Sequence, residues 1–108
     1  MADDLAAQTA AGKNLANCFL WTRDDLVPRI GSRSYIKNSK GEPVCIVEVI
    51  RAEKCAFADV AEDFARAEGY DSLAVWRAVH QEFFGHINNA VNSQTLVVCQ
   101  WFRVVHVF

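Results

Sequence analysis

Glu68 has a type and position that could do chemistry, because it stands directly before Gly69, where a predicted helix ends. A carboxylate at that place faces the negative end of the helix dipole, which costs about 0.3–1 kcal/mol. A residue that is kept at a position where it destabilises its own helix is a candidate for function. Glu68 is therefore a candidate general acid–base or ligand-binding group. The alternative is a structural ion pair with Arg66 or Arg77.

His80 is a second candidate, one helical turn after Trp76 on the apolar stripe of the next predicted helix. An imidazole in a cleft can donate a hydrogen bond or act as a general acid. The alternative is a core histidine whose ring nitrogens are satisfied by the backbone. Trp76 has the same two interpretations, as a core side chain or as a base-stacking platform.

The elements that must position these side chains follow from hydrophobic periodicity and turn residues. The predicted helices cover residues 3–11, 59–68 and 72–84. The predicted strands or extended segments cover residues 14–21, 32–37, 43–50 and 95–108, with a hairpin turn at 38–41 and a loop at 86–94. Strands at both ends of a chain that enclose two helices predict an α+β domain with a curled, mainly antiparallel sheet.

Four residues mark the ends of the two central helices. Asp59 and Glu62 have the spacing of a capping box, which predicts the start of the first helix. Ser72 is the predicted N-cap of the second helix, and Gly85 its predicted end.

The amino-acid composition limits the classes of protein to which this chain can belong. The chain has 108 residues, enough for one domain, and three Trp with seven Phe can fill one core. The four cysteines are widely spaced and lie among apolar neighbours, which predicts buried free thiols and no metal site. There is no signal peptide pattern and no apolar run of about 20 residues. We expect a cytoplasmic protein without a cofactor and without a membrane span.

Charge is spread unevenly along the chain. The net charge of −2 means that the chain has no overall excess of positive charge with which to bind polyanions. Residues 23–40 nevertheless carry five cations against Asp24 and Asp25, a local sum of +3. This stretch could hold phosphates, or it could be an ordinary solvated hairpin. Glu48 interrupts an apolar strand, as a charge at a barrel rim or an edge strand would.

The run FADVAEDFARAEGYDSLAVWRAVHQEFF, residues 57–84, resembles the central signature of ASCH domains of the small, stand-alone bacterial type. GEPVCIVEV at 41–49 and LVVCQWFRVVHV at 96–107 resemble the family's hairpin and closing strand. The resemblance implies one PUA-like domain over 1–108, a curled, mainly antiparallel β-barrel with flanking helices. It also implies an association with RNA or modified nucleosides.

The resemblance implies specific site residues as well. Some relatives remove acetyl from N4-acetylcytidine with a Lys, a Thr three residues later and a distant Glu, and others are described as RNA-binding or as ribonucleases. Glu68 matches that Glu and is the predicted catalytic residue. When Gly12 is aligned with the glycine of the family's motif, Asn14 stands at the Lys position and Asn17 at the Thr position. Lys13 then stands one residue before the Lys position. An amide is no nucleophile.

We therefore predict a binding domain for RNA or a modified nucleoside, with a small polar cleft. The predicted ligand-binding residues are Lys13, Asn14, Asn17, Arg77 and His80. The alternatives are a hydrolase or ribonuclease that uses Glu68, and an interaction or structural role. Longer relatives carry an N-terminal extension, so apolar surface exposed without it predicts a homodimer.

Overall fold

Two long strands form the centre of the sheet and pair with each other in antiparallel fashion. The computed structural model describes residues 2–12, 15–87 and 91–108. The strands are Ala16–Leu20 (β1), Arg33–Lys37 (β2), Pro43–Ala56 (β3) and Leu96–Val107 (β4). The α-helices are Ala2–Ala10 (α1), Glu62–Ala67 (α2) and Leu73–Ile87 (α3), and short 3₁₀ turns cover Asp24–Leu26 and Phe57–Asp59.

The strand order is β1-β4-β3-β2, and each neighbouring pair is antiparallel. The register of β3 against β4 shifts between Ile46 and Val47 and again between Val49 and Arg51. Shifts of this kind increase the local twist and bend a strand. The sheet is a curled half-barrel flanked by helices, which confirms the predicted α+β fold.

The hydrophobic core lies between one face of the sheet and the helices α2 and α3. Its aromatic centre is Trp76, whose ring stacks on Phe57 at 5.5 Å and meets Phe64 edge-on at 6.0 Å. The buried members of the cluster are Ala16, Cys18, Phe57, Val60, Phe64, Ala65, Trp76, Phe84, Val91, Val97 and Cys99. The helix α1 packs separately against β2, β3 and β4.

The cysteines are free thiols, as predicted; three of them are buried and Cys55 is half-buried. Burial and the neighbouring Cys99 raise the pKa of Cys55 to about 12. A hydrogen bond to Cys18 and burial raise the pKa of Cys99 as well. These thiols are protonated at neutral pH and suited to packing.

The predicted start of α2 and the predicted end of β3 were wrong. Asp59 lies in a 3₁₀ turn, and α2 begins at Glu62 after Ala61 without a side-chain cap. The Val60 N–H donates to the carbonyl O of Phe57, so the chain makes a tight turn where the capping box was expected. The strand β3 also continues to Ala56, six residues beyond the predicted end, because it stays paired with β4.

Gly85 does not end α3, which continues to Ile87. Among the described glycines, those with positive φ stand at 12, 31, 41 and 69, so Gly85 keeps a backbone that any residue can adopt. By contrast, the Ser72 cap is confirmed, since its Oγ accepts from the N–H of Val75 at 3.2 Å.

Replacing Gly85 with alanine is expected to stabilise the domain by about 0.5–1 kcal/mol, because glycine inside a helix loses more backbone entropy on folding. A Cβ at this position would meet nothing within 4 Å. Urea unfolding followed by circular dichroism measures the change. A variant less stable than the parent would contradict the helical assignment of Gly85.

Two further features concern possible partners of the chain. Among the helices that the structure describes, none is long and apolar enough to cross a membrane. The outer face of α3 carries an exposed apolar stripe at Val75, Val79, Phe83 and Ile87. The homodimer stays a prediction, and this stripe is where we would expect a second copy to pack.

Candidate functional site

The end of α2 places Glu68 at the edge of the core. Glu68 is the C-cap residue, and Gly69 follows with φ of 98°. The N–H of Gly69 donates to the carbonyl O of Arg66, and the N–H of Tyr70 to that of Ala65. This is a Schellman motif, in which a left-handed residue reverses the chain and satisfies the last carbonyls of a helix. The reversal turns Glu68 and Tyr70 towards α3.

The Glu68 carboxylate bonds to two rings of α3 through one oxygen. The indole Nε1–H of Trp76 donates to Oε2 of Glu68. The Nε2 of His80 lies 3.2 Å from the same Oε2. Trp76 and His80 are one helical turn apart and their rings stack at 4.2 Å, so a single carboxylate oxygen can reach both.

The contacts of His80 fix which ring nitrogen faces Glu68. Its Nδ1 lies 2.9 Å from the carbonyl O of Trp76, which can only accept, so Nδ1 is the donor in that hydrogen bond. Nε2 is left to face Oε2 of Glu68, and a hydrogen bond between these two atoms needs a proton on one of them. A carboxylate and an imidazole in this arrangement are placed for proton transfer.

Tyr70 completes the group, which we call the Glu68 cluster: Glu68, Tyr70, Trp76 and His80. Its ring meets that of His80 edge-on, with the centroids 5.5 Å apart. Burial, and then the charge of Glu68, raise the pKa of the Tyr70 hydroxyl, so it stays protonated at neutral pH. Sequence reasoning missed Tyr70; its signal is that it directly follows the glycine that reverses the chain.

The cluster lies close beneath the surface. The side chains of Glu68 and His80 are 11% and 9% exposed. Leu15, directly before β1, is joined to the residue before Glu68, since its N–H donates to the carbonyl O of Ala67 at 3.1 Å. The predicted site residues Lys13 and Asn14 lie outside the described residues.

The structure brings Glu68 and His80 together but not the other described candidates. Asn17 alternates along β1 with the buried Ala16 and Cys18, so it points to the opposite face of the sheet from the core. There its Oδ1 accepts from the Nε2 of Gln100 at 3.1 Å.

Arg77 anchors α3 to the turn before α2. Its Nη2 donates to the carbonyl O of Ala58 at 2.7 Å and contacts that of Val60 at 3.4 Å. The other proposed ion-pair partner of Glu68, Arg66, lies 3.7 Å from Glu62. The Glu68 carboxylate contacts the rings of Trp76 and His80 on α3.

A family model described as the ASCH domain matches residues 1–106. The chain belongs to the ASCH domain family. Its resemblance to this family, predicted from residues 57–84, is confirmed. A search of curated proteins finds no match to this ASCH domain.

Two solved structures are similar to this ASCH domain over most of its length. The crystal structure of an ASCH domain from Lactobacillus crispatus has 32% sequence identity and a TM-score of 0.85, and the match covers 96% of this chain and 72% of that one. A protein from Enterococcus faecalis has 26% identity and a TM-score of 0.83, over 97% and 72% of the two chains. Family and fold together indicate a domain of the general RNA-binding type.

The described residues contain no group of three or more His, Cys, Asp or Glu that could hold a metal ion. The chemistry that the side chains of Glu68 and His80 offer is hydrogen bonding and proton transfer. The aromatic ring of Tyr70 lies beside the ring of His80.

Proposed function

We propose that this ASCH domain binds a nucleoside, free or as an unpaired residue of RNA, in a cleft whose floor is the Glu68 cluster. One observation carries the proposal: Nε2 of His80 and Oε2 of Glu68 lie 3.2 Å apart just below the surface, where a ligand could reach them. Base edges offer donors and acceptors side by side, and unpaired bases are read by hydrogen bonds and by stacking on aromatic rings. The Glu68–His80 pair could supply the hydrogen bonds, and Tyr70 the ring for stacking.

The opposite wall of the proposed cleft would be the segment before β1. Its chain runs next to Ala67, so Lys13 and Asn14 are the residues we propose for contacts to a phosphate or a base edge. Asn17 is left out of the proposed wall, because its amide is held by Gln100 on the far face of the sheet. Arg77 is proposed to support the cleft indirectly, by fixing α3.

A thermal-shift screen of nucleosides tests the proposal. The panel contains the four common ribonucleosides and N4-acetylcytidine, each measured with the parent and with Glu68→Gln. A binder present at 100 times its Kd stabilises the folded protein by about 2.7 kcal/mol. We expect at least one nucleoside to raise the Tm of the parent, and Glu68→Gln to lose most of that rise.

Glu62→Gln is the matched control, since it makes the same chemical change on an exposed residue of the same helix. It should respond to nucleosides like the parent. A panel without any shift, or an equal shift in Glu68→Gln, would overturn the proposal.

The second candidate function is hydrolysis, and the Glu68–His80 contact favours it because a carboxylate beside an imidazole suits general acid–base catalysis. The covalent route of acetylcytidine-hydrolysing relatives lacks its nucleophile here, since Asn17 stands at the Thr position.

We expect little or no release of acetate from N4-acetylcytidine, because Asn17 supplies no hydroxyl at the position of the relatives' Thr. Chromatography of nucleoside incubated with the protein measures the product. A relative with the Lys/Thr pair serves as the positive control in the same assay. Comparable turnover by the two proteins would show that the Glu68–His80 pair activates water instead.

A further inference from the structure

The edge strand β2 presents an alternation of basic and aromatic side chains on one face. Arg33, Tyr35 and Lys37 are two residues apart, so they point to the same side of the sheet at a spacing of about 7 Å. All three are exposed. Charged residues on an edge strand can simply discourage aggregation, but that role needs no aromatic ring between the charges.

Tyr35 has a second exposed ring beside it. The rings of Tyr35 and Phe108 stack with centroids 6.1 Å apart and planes 25° apart, yet the two residues are 59% and 60% exposed. Two open recesses adjoin Tyr35. One, of about 200 Å³, is lined by Arg33 and Ile46, and the other, of about 380 Å³, by Lys37 and Phe108. Flat rings could therefore approach Tyr35 from either side.

Two arginines next to these rings are held in place by Glu48. The register puts Arg33, Glu48 and Arg103 side by side on β2, β3 and β4. The Nε of Arg33 lies 3.1 Å from one carboxylate oxygen, and Nη2 of Arg103 lies 2.7 Å from the other. Hydrogen bonds from Arg103 and Arg33 lower the pKa of Glu48, so it stays charged.

Glu48 fixes the arginines without removing them from solvent. Both guanidinium side chains remain about 60% exposed, at 61% for Arg33 and 60% for Arg103. Together with Lys37 they give three positive charges against one negative charge. Side chains that are ordered before binding lose less entropy when a ligand arrives.

We propose that Arg33, Tyr35, Lys37, Arg103 and Phe108 form a platform that binds single-stranded nucleic acid. Bases stack on Tyr35 and Phe108 and on the guanidinium planes, and the cations lie against the phosphates. The excess of positive charge selects a polyanion over an apolar partner. Since stacking and phosphate contacts do not distinguish RNA from DNA, the shared chemistry is that of an unpaired strand.

The platform is separate from the Glu68 cluster and does not depend on the function proposed there. The Glu68 cluster lies next to Leu15, directly before β1, whereas Arg33, Tyr35 and Lys37 of the platform lie on β2. The strands β1 and β2 are the two opposite edges of the four-stranded sheet, which puts roughly 14 Å between them. The two sites can therefore be disabled one at a time.

Fluorescence anisotropy of labelled oligouridine and oligothymidine tests the platform. We expect the parent to bind at least one of the two at low salt, and their relative affinities show whether RNA or DNA is preferred. Tyr35→Ala and Phe108→Ala should each weaken binding by at least about tenfold. Lys37→Met should make the dependence of affinity on salt less steep, by about one phosphate contact.

Phe83→Ala is the control, because Phe83 is a similarly exposed aromatic residue on α3, at 57%. It should bind like the parent. Failure of both oligonucleotides to bind would overturn the platform, as would equal losses in Tyr35→Ala and Phe83→Ala. The nucleoside thermal-shift screen and the oligonucleotide assay are separate measurements: a protein that binds no nucleoside but loses oligonucleotide binding in Tyr35→Ala refutes the cleft and supports the platform.

Discussion

Replacing Trp76 with alanine is expected to lower the free energy of unfolding by about 3–5 kcal/mol. Trp76 is fully buried, at 0% exposed, and its ring packs against Phe57, Phe64 and His80. The substitution also removes the indole N–H that binds Glu68, which leaves a poorly solvated carboxylate short of a donor. The whole free energy of unfolding of a domain of this size is only about 5–15 kcal/mol.

Urea unfolding followed by circular dichroism measures this loss, with Trp21→Ala as the control. Trp21 is half-buried, and its Nε1 donates to Asp24 at 3.0 Å at the exposed side of the domain. We expect Trp21→Ala to lower the free energy of unfolding much less than Trp76→Ala does. Equal losses in the two variants would contradict the position of Trp76 at the centre of the core.

Glu68→Gln is expected to destabilise the domain by about 1–3 kcal/mol, the cost of leaving a buried polar group unsatisfied. The reason is geometric, because one atom of residue 68 meets both the indole N–H of Trp76 and the Nε2 of His80. A carboxylate oxygen serves both when a proton lies on Nε2. An amide oxygen suits Trp76 but not a neutral His80, and an amide nitrogen suits His80 but not Trp76.

A double-mutant cycle with His80→Phe measures the contact between the two side chains. Phenylalanine keeps a ring that can stack on Trp76 but has no nitrogen. We expect the double variant to be more stable than the sum of the single losses predicts, by about 0.5–3 kcal/mol. Additive losses, or a Glu68→Gln variant as stable as Glu62→Gln, would show that the contact between Glu68 and His80 does not stabilise the domain.

Local signals in the sequence were sufficient for much of the fold. Gly69 and Ser72 correctly marked the end of α2 and the start of α3, because each acts through its own backbone or its nearest neighbours. The extension of β3 through residues 51–56 was missed. That stretch is polar and has no strand periodicity of its own, and pairing with β4 is what keeps it extended.

The candidate site was predictable only in part, for a related reason. Glu68 could be identified because it opposes a helix dipole, and His80 because it is a polar residue on an apolar stripe. Their contact depends on how α2 and α3 pack, which no local pattern encodes. The sequence offered an arginine ion pair only as the alternative for Glu68, and no local pattern indicated that the chain reversal at Gly69 aims the carboxylate at Trp76 and His80.

The nucleoside cleft is tested most directly by the indole N–H signal of Trp76 in a nitrogen–proton correlation spectrum. The chain has three tryptophans, so the three indole signals can be assigned with single Trp→Phe variants. Because this N–H donates to Glu68, a nucleoside that engages the carboxylate must change its environment. We predict that the Trp76 signal moves during titration with the nucleoside that raises the Tm most, while that of Trp21 stays in place. A Trp76 signal that does not move at saturation would contradict binding at the Glu68 cluster.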